Sequence, residues 1–412
     1  MKIYIEKEKL YNFLLILYIN FQMFLDVFEN ALLYFFNRKF TARTNVQIIG
    51  FLILAVGIFL LKIKSINLKQ ILVILGSFLA INAITYISYK INPDIHYYLN
   101  RFFSAFMIQV FFMSIFISFV EDWSDFEKQI SRQIYLVLLY AVMILVRHND
   151  INHGYSMNFS YYSYCVSAYA FILGLQKKDG KKLLLSLFII LTNLYVGARG
   201  VLICYLLLLL FHLFRKYGDS FQKKNLIYLI FFTFIFYILL VNNRSIASML
   251  YQFFPSRTLE LMSKGRITIL SGRELYYKNI WHEILEQPFK FRGILSDRIF
   301  LSRLKGIRIG DGFTAYVHNF LLEVLFQFGC IWGIIILFIF FRYLLEMFFT
   351  LVRNRNLEQE LIFFSFVSFS YAIGQLAVSN SYLVAPSFGL LLGSMFNITR
   401  KKSIHRGKKQ DE

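Results

Sequence analysis

Cysteine, proline and acidic side chains are all scarce in this chain. The three cysteines (Cys165, Cys204 and Cys330) are scattered through apolar surroundings. So few and so far apart, they supply neither a disulfide framework nor a thiolate metal site. Four prolines in 412 residues leave no proline-rich linker. No Gly/Ser-rich stretch takes its place, and no internal repeat is visible. A soluble chain of this length would divide into two or three domains with alternating apolar and polar patterns, and that alternation is missing too. There is no Gly-rich P-loop, no His-Glu-x-x-His and no Gly-x-Ser-x-Gly. The nearest approach to a metal site is the acidic run Glu121, Asp122 and Asp125. The topology below puts it in the cytoplasm, away from every other candidate, so neither metal nor cofactor is expected. Lys2, Lys7 and Lys9 precede a long apolar segment that lacks a small-residue cleavage site, so this segment is expected to remain as a first span.

What is abundant is apolar bulk. The chain is 58% hydrophobic, with 48 Phe and 27 Tyr. Mostly apolar runs recur from end to end, and about 20 such residues in a helix cross a hydrocarbon core. The expected fold is an all-α integral membrane protein, one polytopic domain over 1–412. About twelve spans are expected, at 10–28, 46–61, 70–88, 99–120, 133–147, 159–175, 183–196, 201–214, 225–241, 330–350, 361–378 and 384–397. With the N-terminus inside, the cytoplasmic segments flanking these spans hold 24 Lys or Arg and the short outer loops 5. Cytoplasmic loops carry the basic excess, so both termini are assigned to the cytoplasm and the long segment 242–317 to the outside. The same rule accounts for a net charge of +20 without nucleic acid as a partner.

The segment 182–214 is apolar but too long for one span. Basic residues flank it on both sides (Lys181 and Lys182; Arg215 and Lys216), so the chain is expected to go out and return. Gly197-Ala198-Arg199-Gly200 is the natural reversal. It leaves Arg199 at the outer face, where a cation is costly unless it faces water, a headgroup or a partner.

The polar segment 242–317 holds twelve Lys or Arg and six acids, a balance suited to an anionic ligand. Within it, Ser271-Gly272-Arg273-Glu274 has the form of a capping box with Ser271 as N-cap. Leu275, Tyr276, Ile280, Ile284 and Leu285 then mark one stripe of an amphipathic helix along the outer surface, which Pro288 ends. Arg273 would sit in its first turn, where free N–H groups and a guanidinium fork suit a phosphate. A solvated arginine on an ordinary capped helix is the competing reading. His318 opens the apolar run His318-Asn319-Phe320-Leu321-Leu322. A neutral imidazole there could serve as general base, or could simply cap or anchor the helix. Glu323 faces another side and is placed to pair with an arginine.

Taken together, these elements resemble the O-antigen ligase and polymerase superfamily of bacterial membrane glycosyltransferases. Gly197-Ala198-Arg199-Gly200 is similar to the family's Gly-Ser-Arg-Gly element, with Ala198 in place of Ser. Ser271-Gly272-Arg273 is similar to its Ser/Thr-Gly-Arg element, followed by Trp281, Pro288 and Gly293. His318-Asn319 with Leu321, Leu322 and Gly329 is similar to its His-Asn-x-Leu-Leu…Gly element. The resemblance implies a polysaccharide polymerase of the O-antigen or capsule type in the bacterial cytoplasmic membrane, metal-independent and inverting, with its active site outside. Donor and acceptor would be oligosaccharides on undecaprenyl pyrophosphate, and the bilayer, a chain-length regulator and a flippase would be partners. It assigns Arg199 and Arg273 to the pyrophosphate, His318 with Arg273 to catalysis, and Ser271, Gly272 and Asn319 to support. A ligase acting on lipid A–core, and a flippase or other transporter, stay open as alternatives.

Overall fold

The structure, a computed structural model, describes residues 2–38, 40–148, 157–196, 199–217, 244–253, 260, 263–264, 273–309, 316–353, 357–378 and 380–408. Every element among them is helical. The first helices are α1 (Lys2–Phe36), α2 (Arg43–Lys62), α3 (Leu68–Ile91), α4 (His96–Ala105), α5 (Met113–Ser118), α6 (Trp123–Arg132), α7 (Ile134–His148) and α8 (Met157–Gln176). They are followed by α9 (Gly180–Tyr195), α10 (Arg199–Tyr217), α11 (Arg244–Phe253), α12 (Glu274–Glu286), α13 (Ser296–Leu304), α14 (Phe320–Arg353), α15 (Gln359–Val378) and α16 (Pro386–Lys408). A wide π-turn over Phe106–Phe112 joins α4 to α5.

Among the described residues, seven helical stretches are long and apolar enough to cross a membrane: Glu6–Phe36, Arg43–Ser65, Leu68–Ile91, Pro93–Ser118, Trp123–Val146, Phe320–Val352 and Gln359–Ala377. This is an all-α membrane protein. The expected spans 159–175, 183–196, 201–214 and 384–397 are also helical, but they are shorter or more polar. The expected span 225–241 lies outside the described residues.

Local chemistry explains the helix ends. Asn67 and Gln70 form a reciprocal capping box at the start of α3: each side-chain oxygen accepts the other's backbone N–H, at 2.9 and 3.0 Å. Asn92-Pro93 closes the same helix, as a pre-proline residue disfavours helical backbone. Helices α9 and α10 flank the position of the expected reversal. The acids of the Glu121 run take local partners instead of converging. Glu121 pairs with Lys62, Asp122 caps α6 through the Asp125 N–H, and Asp125 accepts from Asn12 and Gln129.

The helices divide between two compact units, each assembled from three stretches of chain. One holds residues 1–54, 122–271 and 354–374. Its core is tyrosine-rich, and two of the buried tyrosine hydroxyls reach backbone carbonyls. Tyr164 donates to the Cys204 carbonyl at 3.0 Å, and Tyr371 to the Tyr161 carbonyl at 2.7 Å. Asp26, buried on α1, receives the Tyr140 hydroxyl at 2.9 Å and the Arg43 guanidinium. A carboxylate at such a position is tolerable only when paired.

The other unit holds residues 55–121, 272–353 and 375–412. In it α16 lies tightly on α5. A Cβ at Gly393 would come within 2.5 Å of the Ile117 Cβ, so glycine permits the approach. One turn further on, the Asn397 amide donates to the Ile117, Ser118 and Val120 carbonyls at 3.2, 3.1 and 2.9 Å, satisfying orphan acceptors at the end of α5. The same unit contains a broken helix. Gly329 interrupts α14 with φ 71°, ψ 167°. Groups that the break frees are taken up by the loop after α12. The Cys330 N–H donates to the Pro288 carbonyl at 2.6 Å, and the Gln327 carbonyl accepts from Arg292 and Gly293 at 3.0 and 2.9 Å. Within an apolar span, irregular backbone persists only where other groups satisfy it.

Candidate functional site

Two of the candidate residues, Arg273 and His318, lie in the second unit, and α12 brings them together. The helix buries one face: Ile280 and Ile284 pack with Leu301, Val317 and Phe326. That packing fixes the helix against the start of α14 and sets the direction of its first turn. The helix begins at Glu274, with Arg273 in the cap position and no side-chain cap bond. The capping-box pattern, by contrast, places Arg273 inside the first turn. Glu274 at the start, next to the positive end of the helix dipole, accounts for the later beginning. Ser271 and Gly272 lie outside the described residues.

Tyr277, one turn into α12, connects the two candidates. Its backbone N–H donates to the Arg273 carbonyl at 3.0 Å, and its hydroxyl donates to the His318 carbonyl at 3.4 Å. Burial raises the pKa of that hydroxyl. The adjacent Arg273 guanidinium, hydrogen-bonded to it, pulls the other way, and Glu274 adds to the rise. Tyr277 therefore stays a neutral donor between a cation and the backbone of His318. Sequence reasoning missed it. Its position four residues after Arg273, on the same helix face, was the available signal.

His318 is half-buried and left-handed, with φ 56°. A non-glycine residue there costs about 1–2 kcal/mol, although histidine is among the residues found there most often. Its ring lies against Tyr316, centroids 3.7 Å apart. The capping role falls to its neighbour: the Asn319 side chain accepts from the Leu322 N–H at 3.1 Å. His318 is thus not the cap of α14.

Beneath this layer is a buried ionic network that the sequence disclosed only in part. Arg298 is fully buried. It donates to Asp297 at 2.8 Å, Glu323 at 3.0 Å and Ser381 at 2.8 Å. Gln327 donates to Asp297 at 2.8 Å, and Tyr382 donates to Gln327 at 2.6 Å. The guanidinium is sandwiched by Phe102 at 4.5 Å and Tyr316 at 5.5 Å, so the ring stacked on His318 also rests on Arg298. Burial pulls the Arg298 pKa down, but Asp297 and Glu323 more than offset it and hold the group charged. The expected pairing of Glu323 with an arginine is present. Glu323, an acid in an apolar run, is the signal that pointed to it.

The positive balance of the long segment is partly neutralised internally. Arg292 is buried and donates to the Glu283 carbonyl at 2.7 Å, Arg303 pairs with Asp94 at 2.5 Å, and Lys264 pairs with Glu260. Lys305 lies over the Tyr276 ring at 4.4 Å. Arg199 is the first residue of α10 and belongs to the other unit. Gly197 and Ala198 lie outside the described residues. Among the described residues no cluster of His, Cys, Asp or Glu is arranged to hold a metal ion.

Chemically, the Arg273–Tyr277–His318 arrangement ties a cation and a neutral hydroxyl on α12 to the backbone of a histidine 41 residues on in the chain. A cation preorganised in this way stabilises developing negative charge, and an imidazole exchanges a proton near neutral pH. No protein-family model matches this chain, and no curated protein or solved structure is significantly similar to it.

Proposed function

We propose that the chain is a polysaccharide polymerase, a membrane glycosyltransferase that moves a glycan from undecaprenyl pyrophosphate to the next lipid-linked repeat unit. The observation that supports this reading is the Tyr277 hydroxyl, which links the Arg273 side chain to the His318 backbone carbonyl. The acceptor hydroxyl oxygen attacks the anomeric carbon from the face opposite the leaving group, so the configuration inverts. The bond from that carbon to the pyrophosphate oxygen breaks, and its electron pair leaves with the pyrophosphate. His318 takes the acceptor proton. Arg273 and Arg199 bind the charge that develops on the leaving group. Tyr277 keeps Arg273 and the His318 backbone in register. Twelve spans, both termini in the cytoplasm of a bacterium and segment 242–317 outside belong to the same proposal.

The test is reconstitution in proteoliposomes with a defined undecaprenyl-pyrophosphate oligosaccharide. A ladder of products spaced by one repeat unit supports polymerisation. Transfer to lipid A–core alone makes the protein a ligase. Movement of the lipid-linked donor across the bilayer without any transfer makes it a flippase. Each of the last two outcomes overturns the polymerase reading.

A further inference from the structure

Helix α12 presents three different sides. Ile280 and Ile284, four residues apart, are buried in the core. His282 and Glu286, also four apart, are exposed and lie 3.3 Å from one another, polar groups that suit a side turned to water. Between these sides lie Trp281 and Leu285, 49% and 62% exposed, with Lys278 one turn before. Phe289, just beyond the helix end, is 71% exposed. A soluble surface seldom groups three large apolar side chains in this way without covering them.

The backbone shows where this side lies. Pro288 and Gly293, on either side of Phe289 and Lys290, are hydrogen-bonded to Cys330 and Gln327 across the Gly329 break. Directly after the break begins the continuous membrane-crossing part of α14, whose Ile331, Trp332 and Ile334 are 52%, 60% and 58% exposed. These residues face lipid. The end of α12 is therefore tied to the level at which the chain enters the bilayer, and its apolar side continues the lipid-facing surface of the span. Tryptophan with flanking lysines is the composition of a membrane interface.

We infer that α12 lies in the bilayer interface, with Trp281, Leu285 and Phe289 in lipid and His282 and Glu286 in water. The occupant of this side is the lipid bilayer itself. The lysine ammonium groups of Lys278 and Lys290 reach the headgroups while their stems lie along the apolar surface.

Spin labels test this without reference to the chemistry of the site. Single cysteines replace Trp281, Leu285, Phe289, His282 and Glu286 in a Cys330→Ser background. All five positions are exposed, and each variant is checked for monodispersity before labelling. The proteins are reconstituted in phosphatidylethanolamine–phosphatidylglycerol vesicles. Accessibility to oxygen, which partitions into lipid, is compared with accessibility to a water-soluble nickel chelate. Labels at 281, 285 and 289 should favour oxygen, and labels at 282 and 286 should favour the chelate, so that the preference reverses between 281 and 282 and again between 285 and 286. Chelate preference at all five positions would place α12 in water and overturn the inference. Low accessibility to both reagents at 281, 285 and 289 would mean that protein covers this side, and would overturn it equally.

Discussion

Arg298 gives the sharpest test of the structure. It is fully buried with two carboxylates, Asp297 and Glu323, that are themselves fully buried. Replacing it with methionine keeps much of the volume but leaves both acids without a counter-charge. Breaking a buried pair in this way costs about 3–5 kcal/mol. Glu323→Gln has the opposite consequence, because one carboxylate then faces one guanidinium and the charge balances. Glu323 Oε2 has no hydrogen-bond partner among the described residues, so an amide nitrogen there forfeits no existing bond. The amide oxygen can still accept from Ser381, which now donates to Glu323 Oε1 at 2.5 Å. The expected cost is within about 1.5 kcal/mol, the scale of a single hydrogen bond. Unfolding in mixed micelles of increasing denaturing detergent measures both variants against the native protein. If Arg298→Met is as stable as Glu323→Gln, or more so, the network is not the charge-bearing core described here.

Four further outcomes bear on the site and the topology. Arg273→Ala should abolish polymer formation in proteoliposomes while insertion is unaffected, and Arg273→Lys should stay poor if a guanidinium fork is required; near-normal lysine activity would reduce the role to charge alone. Tyr277→Phe should lower turnover by roughly 2–13-fold, the worth of one hydrogen bond of about 0.5–1.5 kcal/mol, and an unchanged rate would remove Tyr277 from the site. His318→Ala should lower turnover by about 10²–10⁴-fold and flatten a rise in activity across the imidazole range of pH, whereas His318→Gly should be at least as stable as the alanine variant because position 318 has φ 56°; full activity in either would end the general-base role. A cysteine at Lys278 should react with an impermeant thiol reagent added outside cells and one at Lys64 should not, and the reverse pattern would invert the orientation.

Much of the helical scaffold is legible in the sequence because long apolar runs have few alternatives to helix in a membrane. An out-and-back path over 182–214 is expected for a related reason, since length and flanking charge forbid a single span. Glu323 announces itself as an acid in an apolar run that must find a cation. Its partner does not, because Asp297-Arg298 sits in a segment whose composition reads as solvated. Only tertiary packing carries that pair to zero exposure. Gly329 stands in the third motif and just before the expected span 330–350, but its positive φ is not legible there, because it follows from the loop that docks against it. The start of α12 differs from the capping-box expectation by a few residues, as helix ends often do. Nothing in the sequence singles out Tyr277, because its hydroxyl gains its meaning from His318, 41 residues away.

The junction at Gly329 has a mechanical consequence. Three backbone hydrogen bonds fasten the 288–293 loop to the break in α14. A Cβ at Gly329 would come within 2.9 Å of the Lys290 carbonyl oxygen, and one at Gly293 within 2.8 Å of the Ser88 Cβ. So close a fit makes the joint a weld and not a hinge. Any tilt of the membrane-crossing part of α14 swings α12 with it as one lever, and carries Arg273 and Tyr277 along. Opening the site must therefore use some other seam of the protein. Substitutions at Gly293 or Gly329 would uncouple the lever from its load while leaving every chemical group in place.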